Sequence, residues 1–214
     1  MRLRTVFANQ GFYHIYNLGV EKRVVFENQH DLQRFLDTLI YYTNKNNKPR
    51  FSFRNRETAK KENGVPSETL VEIVAYCFMP NHFHLLLKQV SDRGVSMFLS
   101  KVTNSYTKYF NKKYRRAGSL FQGTFKAVQI KSGEELVSLS RFIHLNPLTG
   151  FIVKDLSRFP YSSYLEYINP TAQSICEKNY ILKHFKNPQE YEQFVHNPED
   201  YAKSLKEMEK QLLG

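Results

Sequence analysis

The apolar pattern of the chain predicts an α+β fold: an antiparallel sheet with helices packed on it, and a helical extension at the C-terminus. Three observations predict it. Short aromatic and β-branched stretches alternate with longer stretches of 3.6-residue periodicity. Two strand-like stretches, "VEIVAYCFM" and "HFHLLLKQV", are separated only by a tight turn. Hydrophobic residues make up 41% of the 214, enough for a core of ordinary domain size.

Each element follows from local pattern. "FYHIYNL" (residues 12–18) reads as a strand, closed by Asn17 and Gly19. "QHDLQRFLDTLIYYTNKNN" reads as a helix, because Leu32, Phe35, Leu36, Leu39 and Ile40 recur at helical spacing with Asp31 in the first turn. "PRFSFRN" reads as a short strand. Residues 55–69, polar with Gly and Pro, read as a loop or hairpin tip. The first strand of the pair is nearly continuous in apolar residues, as a buried central strand is. The turn falls at Met79–Asn81. A helix is expected from Val95 to Tyr114, with Lys101, Lys108, Lys112 and Lys113 off its apolar stripe. "YRRAGSLFQGTFKAVQIK" reads as a glycine-containing loop entering a strand. "GEELVSLSRFIHLN" reads as a helix stopped by Pro147. The order β-α-β-β-(loop)-α-β-α suits helices on one face of the sheet, with a ferredoxin-like split βαβ as the nearest common topology. "RFPYSSYLEYINP" reads as a loop packed on the core. Residues 187–214 read as one or two terminal helices, so the chain divides into residues 1–165 and an extension, 166–214.

Composition narrows function. The formal net charge is +11, which favours a polyanionic partner, nucleic acid before an anionic membrane surface. The 14 tyrosines and 17 phenylalanines suit stacking on unpaired bases as well as a core. No run approaches the ~18 apolar residues of a membrane span, and no secretory signal pattern opens the chain. A cytoplasmic, nucleoid-associated protein with no membrane partner is expected. Cys77 and Cys176 have neither metal-site nor disulfide-framework spacing and read as reduced and structural.

Two short motifs carry chemistry. In "NHFHLLL", His82 and His84 lie two apart, so on a strand both imidazoles face the same side while Phe83 faces the other. Two neutral imidazoles are a start on a divalent-metal site that needs a third ligand from elsewhere; two half-exposed strand histidines are the plainer reading. In "RFIHLNP", Phe142 and Asn146 are i and i+4 on one helix face. The Asn146 amide oxygen can serve Mg²⁺ or Mn²⁺, or the residue can cap the helix. Phe142 sits one turn back, where a tyrosine could attack a phosphate but a phenylalanine cannot. His144 lies about 200° round the helix from that face and is expected to be structural.

Together these stretches resemble the REP-associated tyrosine transposases, relatives of the IS200-like single-strand transposases of the HUH class. The likeness rests on "YHIYNLGVEKRVVF", "AYCFMPNHFHLLL", "YTKYFNKKYRRAGSLFQGTFKA" and "RFIHLNPLTGFI", in family order across most of residues 11–165. It implies a ferredoxin-like catalytic domain over residues 1–165 and a divalent metal, Mg²⁺ or Mn²⁺, held by His82, His84 and Asn146. It also implies a metal-dependent single-stranded DNA endonuclease and strand transferase working through a 5′-phosphotyrosine. The family's segment reads Y-I-H-L-N-P, so the resemblance puts the nucleophile at position 142, which here is Phe142. This departure makes the chain inactive in cleavage by the family route. Tyr→Phe is the change an experimenter makes to trap an enzyme–DNA complex, the reading favoured over a natural loss of the nucleophile. Tyr106, Tyr109 and Tyr114 are the fallback nucleophiles.

The implied partner is hairpin or single-stranded DNA, bound by a monomer or homodimer. Lys112, Lys113, Arg115 and Arg116, with Tyr114 and Phe121 interleaved, suit phosphates and splayed bases. Gln122, Lys126, Lys22 and Arg23 are further candidates, and Gly118 and Gly123 would let backbone approach the strand. The alternative function is a non-catalytic hairpin-binding regulator, a domesticated relative. An RNA-binding domain of the RRM kind lacks its aromatic-basic signature here and leaves both histidines unexplained.

Overall fold

The computed structural model describes residues 6–45, 51, 68–169 and 174–197. All of the short strand expected at "PRFSFRN" but Phe51, all but the end of the loop expected at 55–69, and residues 198–214 fall outside the described residues. The remaining elements are β1 (Phe12–Leu18), α1 (Gln29–Tyr42), β2 (Val71–Met79), β3 (His82–Gln89), α2 (Gly94–Lys113), β4 (Lys126–Ile130) and α3 (Gly133–Thr149). Three short helices follow: α4 (Tyr164–Ile168), α5 (Asn179–Leu182) and α6 (Pro188–His196).

The four strands form one antiparallel sheet in the order β2-β3-β1-β4. With α1 and α2 as the crossovers, this is the ferredoxin-like split βαβ topology. Strand alternation sorts the side chains. Tyr13, Ile15, Phe78, Phe83, Leu85 and Leu87 face α1 and α2 and are buried. There Phe35 of α1 meets Phe78, Phe83 and Tyr106 at ring-centroid distances of 5.1, 5.2 and 5.0 Å.

The expectation of helices on one face alone is corrected. Helix α3 packs against β2 and β3 from the other side, joined by α6. The reason lies in β2, where Ile73 to Met79 are all buried and both faces therefore need cover. The stretch "RFPYSSYLEYINP" is also more ordered than a loop. Tyr161 and Ser163 pair with the outer edge of β2 (Phe78 N–H to Tyr161 O, 3.0 Å; Ser163 N–H to Tyr76 O, 3.0 Å), and α4 follows. That pairing closes an edge which would otherwise expose unpaired backbone.

Pro147 does not stop α3. The helix runs through it to Thr149, where the Gly150 N–H closes onto Asn146 O at 2.8 Å. A proline inside a helix deprives the carbonyl four residues back of its donor. Here the Asn146 side chain supplies donors instead: Nδ2 lies 2.7 Å from Phe142 O and 3.5 Å from Ile143 O.

Asp31, fully buried, joins α1 to the end of α2. Its carboxylate accepts from Lys113 Nζ (2.6 Å), Tyr114 Oη (2.6 Å), Tyr109 Oη (2.9 Å) and the Glu27 N–H (3.0 Å). Burial alone would raise its pKa, but these donors outweigh burial and hold it below the ordinary 3.8. A carboxylate with a depressed folded-state pKa contributes stability above its unfolded value and loses it as pH falls through the folded one. Asp31→Asn is therefore expected to cost about 2–3 kcal/mol at pH 7. Urea unfolding should also show the variant losing less stability than the parent below pH 4.

Candidate active site

The site lies on the α3-facing side of the sheet. His82 and His84 project together from β3, their ring centroids 5.1 Å apart and perpendicular at 86°. Across the gap α3 presents Phe142, whose ring lies 5.4 Å from that of His84, and Asn146, whose side chain lies close enough to His82 to raise its pKa against burial. The amide nitrogen of Asn146 is spent on the carbonyls of Phe142 and Ile143, the second of which Pro147 leaves short of a donor. Its oxygen is thereby turned toward His82.

Each histidine has one ring nitrogen engaged behind it. His82 Nδ1 lies 2.7 Å from Asn81 Oδ1, an acceptor, so Nδ1 carries the proton and Nε2 keeps its lone pair. His84 Nδ1 lies 2.9 Å from Nε2 of His14, a buried β1 residue that stacks on it at 23°. With the shared proton on His84 Nδ1, that residue also presents a free Nε2. Histidine ligands are held in this way, by a partner on the other nitrogen. Burial depresses the basicity of all three rings. His14 falls to about 3. His84 lies well below 6.5 through burial, with the neighbouring His14 and His82 adding to it. His82 is lowered by burial and partly restored by Asn146. At neutral pH the rings are in the uncharged form that binds metal, with no proton to displace.

The residues fit a hard divalent ion only as a trio. Among the described residues no three His, Cys, Asp or Glu side chains converge as ligands. A divalent ion on the His82–His84 pair would take the Asn146 oxygen as a third ligand, a mixed nitrogen–oxygen set of the kind Mn²⁺ or Mg²⁺ accepts.

Two residues at the site escape a reading of the sequence, His14 and Tyr16. Both share the imidazole-bearing face, since Tyr16 pairs directly with His84. The Tyr16 ring is 5.0 Å from His14 and 5.9 Å from His84. Alternation within "FYHIYNL" puts the two on one face, but only the β1–β3 register brings that face to His84.

The expected DNA contacts divide. Lys112, Arg115 and Gln122 are exposed. Lys126 is exposed on β4, and its Nζ stands 5.6 Å from the Tyr16 ring centre, beside the site. The half-buried Arg23, exposed Lys22 and the Gln122 loop gather at the mouth, held by Asn81 Nδ2 to Lys22 O at 3.4 Å and Gln122 N–H to Leu18 O at 2.7 Å. Lys113 and Tyr114 are committed to Asp31. Arg116 folds back on Asn111 Oδ1 at 2.8 Å. Phe121 is buried against Phe83. The fallback nucleophiles are spent as well: Tyr106 donates to Val25 O at 2.6 Å, and Tyr109 and Tyr114 bind Asp31.

With this geometry in place, comparison with known proteins is decisive. The family model described as Transposase IS200 like matches residues 9–146. The chain belongs to that family. The matched span runs from just before β1 to Asn146. A Haemophilus influenzae protein provisionally named a REP-associated tyrosine transposase is 29% identical over 104 residues, covering 44% of this chain and 58% of the relative. The match thus spans little more than half of that relative's length. A solved REP-associated tyrosine transposase, bound to a REP hairpin, superposes with a TM-score of 0.56 over 82% of this chain and 89% of the other, at 16% identity. That likeness establishes the shared α+β fold. No helix among the described residues is long and apolar enough to cross a membrane.

His144, on the far side of α3, is fully buried, with Nε2 2.7 Å from Ser163 Oγ and Nδ1 2.7 Å from Tyr191 Oη. Burial lowers its pKa to about 3. The unfolded chain therefore takes up a proton near pH 6.5 that the folded chain refuses, so stability is lost as pH falls from 6.5 toward 3. His144→Gln is expected to lower stability at pH 7 by about 1–3 kcal/mol. It should also reduce the further loss between pH 7 and pH 4.5, read by urea unfolding at the two pH values.

Proposed function

We propose that the chain binds single-stranded DNA beside a hairpin and is built around a single-strand cleavage and strand-transfer site. The observation that carries the reading is the grouping of the His82 and His84 rings with Asn146 beside Phe142, within an IS200-like transposase. His82, His84 and Asn146 would hold a divalent ion, Mg²⁺ or Mn²⁺, which supplies charge to polarise a scissile phosphate. Asn81 and His14 fix the ligand rings. The exposed Lys112, Arg115, Gln122 and Lys126, with Arg23, would hold DNA phosphates. The relative solved with a REP hairpin supports hairpin DNA as the substrate class.

Residues 1–165 form the catalytic part in this reading. The extension from 166 braces α3 through Tyr191, whose hydroxyl contacts His144 and donates to Ser140 Oγ at 3.1 Å.

Position 142 is where the family reading puts the nucleophile, and Phe142 offers no oxygen, so cleavage through that position is closed. This same fact favours a second reading, a hairpin-binding regulator that no longer cuts. Phe142→Tyr, given Mn²⁺ and hairpin-flanked oligonucleotides, is expected to form a covalent protein–DNA adduct at residue 142 that survives a denaturing gel. A variant that binds these DNAs but forms no adduct sinks the endonuclease reading and leaves the regulator.

Calorimetry tests the ligand set without any cleavage. Asn146→Ala and His82→Ala should each abolish measurable Mn²⁺ binding. His14→Phe, which removes only the partner behind His84, should weaken it about 10–100-fold.

A further inference from the structure

The ring contacts of His84 raise a possibility that position 142 does not exhaust. Among the described residues they are with His14, Tyr16, His82 and Phe142. Two aromatic six-membered rings thus bracket the buried His14–His84 pair. Phe142 stands on the α3 side, at 5.4 Å from His84 and 6.1 Å from His14. Tyr16 stands on the β1 side, at 5.9 Å and 5.0 Å from the same rings. Of the two, Tyr16 alone carries a hydroxyl.

We propose that Tyr16 is a catalytic nucleophile of this chain, taking the role that Phe142 cannot fill. The inference rests on the metal-site reading of His82, His84 and Asn146. Three features of its setting support it. Tyr16 pairs directly with His84 across the strands, so its side chain leaves the same face of the sheet beside that ligand. It is half-buried, which leaves a route for a DNA strand, whereas Tyr106 is sealed in the core on the other face. The Lys126 ammonium lies 5.6 Å from its ring centre, a cation able to hold the phosphate against the phenol.

The step is a transesterification. The Tyr16 Oη–P bond forms and the P–O3′ bond breaks. The bonding pair leaves with O3′, which takes up a proton from solvent, and the phenol proton is released to solvent. A 5′-phosphotyrosyl linkage and a free 3′-hydroxyl result, with no change of oxidation state.

The test uses the full chain with Mn²⁺ and hairpin-flanked single-stranded oligonucleotides, read on denaturing gels and by mass spectrometric mapping of the linked peptide. The unaltered chain is expected to form an adduct mapped to the peptide holding Tyr16, and Tyr16→Phe to reduce it by at least about 100-fold. Mapping on the unaltered chain keeps the test independent of whether Tyr16→Phe folds. An adduct on any other residue overturns the proposal. An adduct from Phe142→Tyr but none from the unaltered chain also overturns it, while leaving the metal-site reading intact. No adduct from either protein, when both retain the DNA, overturns both.

Discussion

The antiparallel register of β1 on β3 is the constraint on which the site depends. It sets Tyr16 against His84 and Ile15 against Leu85. One face of the pair is thereby apolar from Tyr13 to Ile15 and from Phe83 to Leu87, and the other carries every imidazole of the site. A slip of one residue would turn His14 and Tyr16 into the aromatic core and Tyr13 and Ile15 out of it. Because Tyr13, Ile15, Phe83 and Leu85 are completely buried, hydrophobic burial on the α1–α2 side fixes the register. The chemistry on the α3 side is positioned by a core in which it takes no part.

The second half of the site depends on how α3 is held. Pro147 costs the helix a backbone donor, and the Asn146 amide covers the gap. The same hydrogen bonds that stabilise the helix end leave the Asn146 oxygen free for the proposed metal site. On the opposite side of α3, His144 bonds Ser163 and Tyr191, tying the helix to the β2 edge strand and to α6. Two polar residues in "IHLNP" therefore serve opposite faces, His144 for anchorage and Asn146 for the site. A buried polar group with both nitrogens satisfied specifies one placement of the helix.

The positive charge of the chain is divided between folding and surface. Lys113 neutralises the buried Asp31, and Arg116 braces its own loop. Those cations contribute to the joint between α1 and α2. Lys112, Arg115 and Lys126 remain outward. Net charge counted along the chain gave no means of separating the two groups, because the separation depends on a single carboxylate from an element 82 residues away.

Much was legible before any tertiary contact was known. Runs of aromatic, β-branched and other apolar residues located β1 at Phe12–Leu18 and the paired strands β2 and β3. Helical periodicity located α2 within a residue and the start of α1, which ends at Tyr42, short of the Asn47 that the pattern suggested. The His82–His84 pair and the Phe142–Asn146 pair follow from strand and helix geometry alone, since i, i+2 and i, i+4 are local relations. The tertiary structure decided what is not local. It covered both faces of the sheet, carried α3 through Pro147, bound Lys113 and Tyr114 to the buried Asp31 and took Phe121 into the interior. It also brought His14 and Tyr16 to His84 across 70 and 68 positions of sequence. Period and propensity act over a few bonds, whereas register and packing are set by which apolar faces can be buried together.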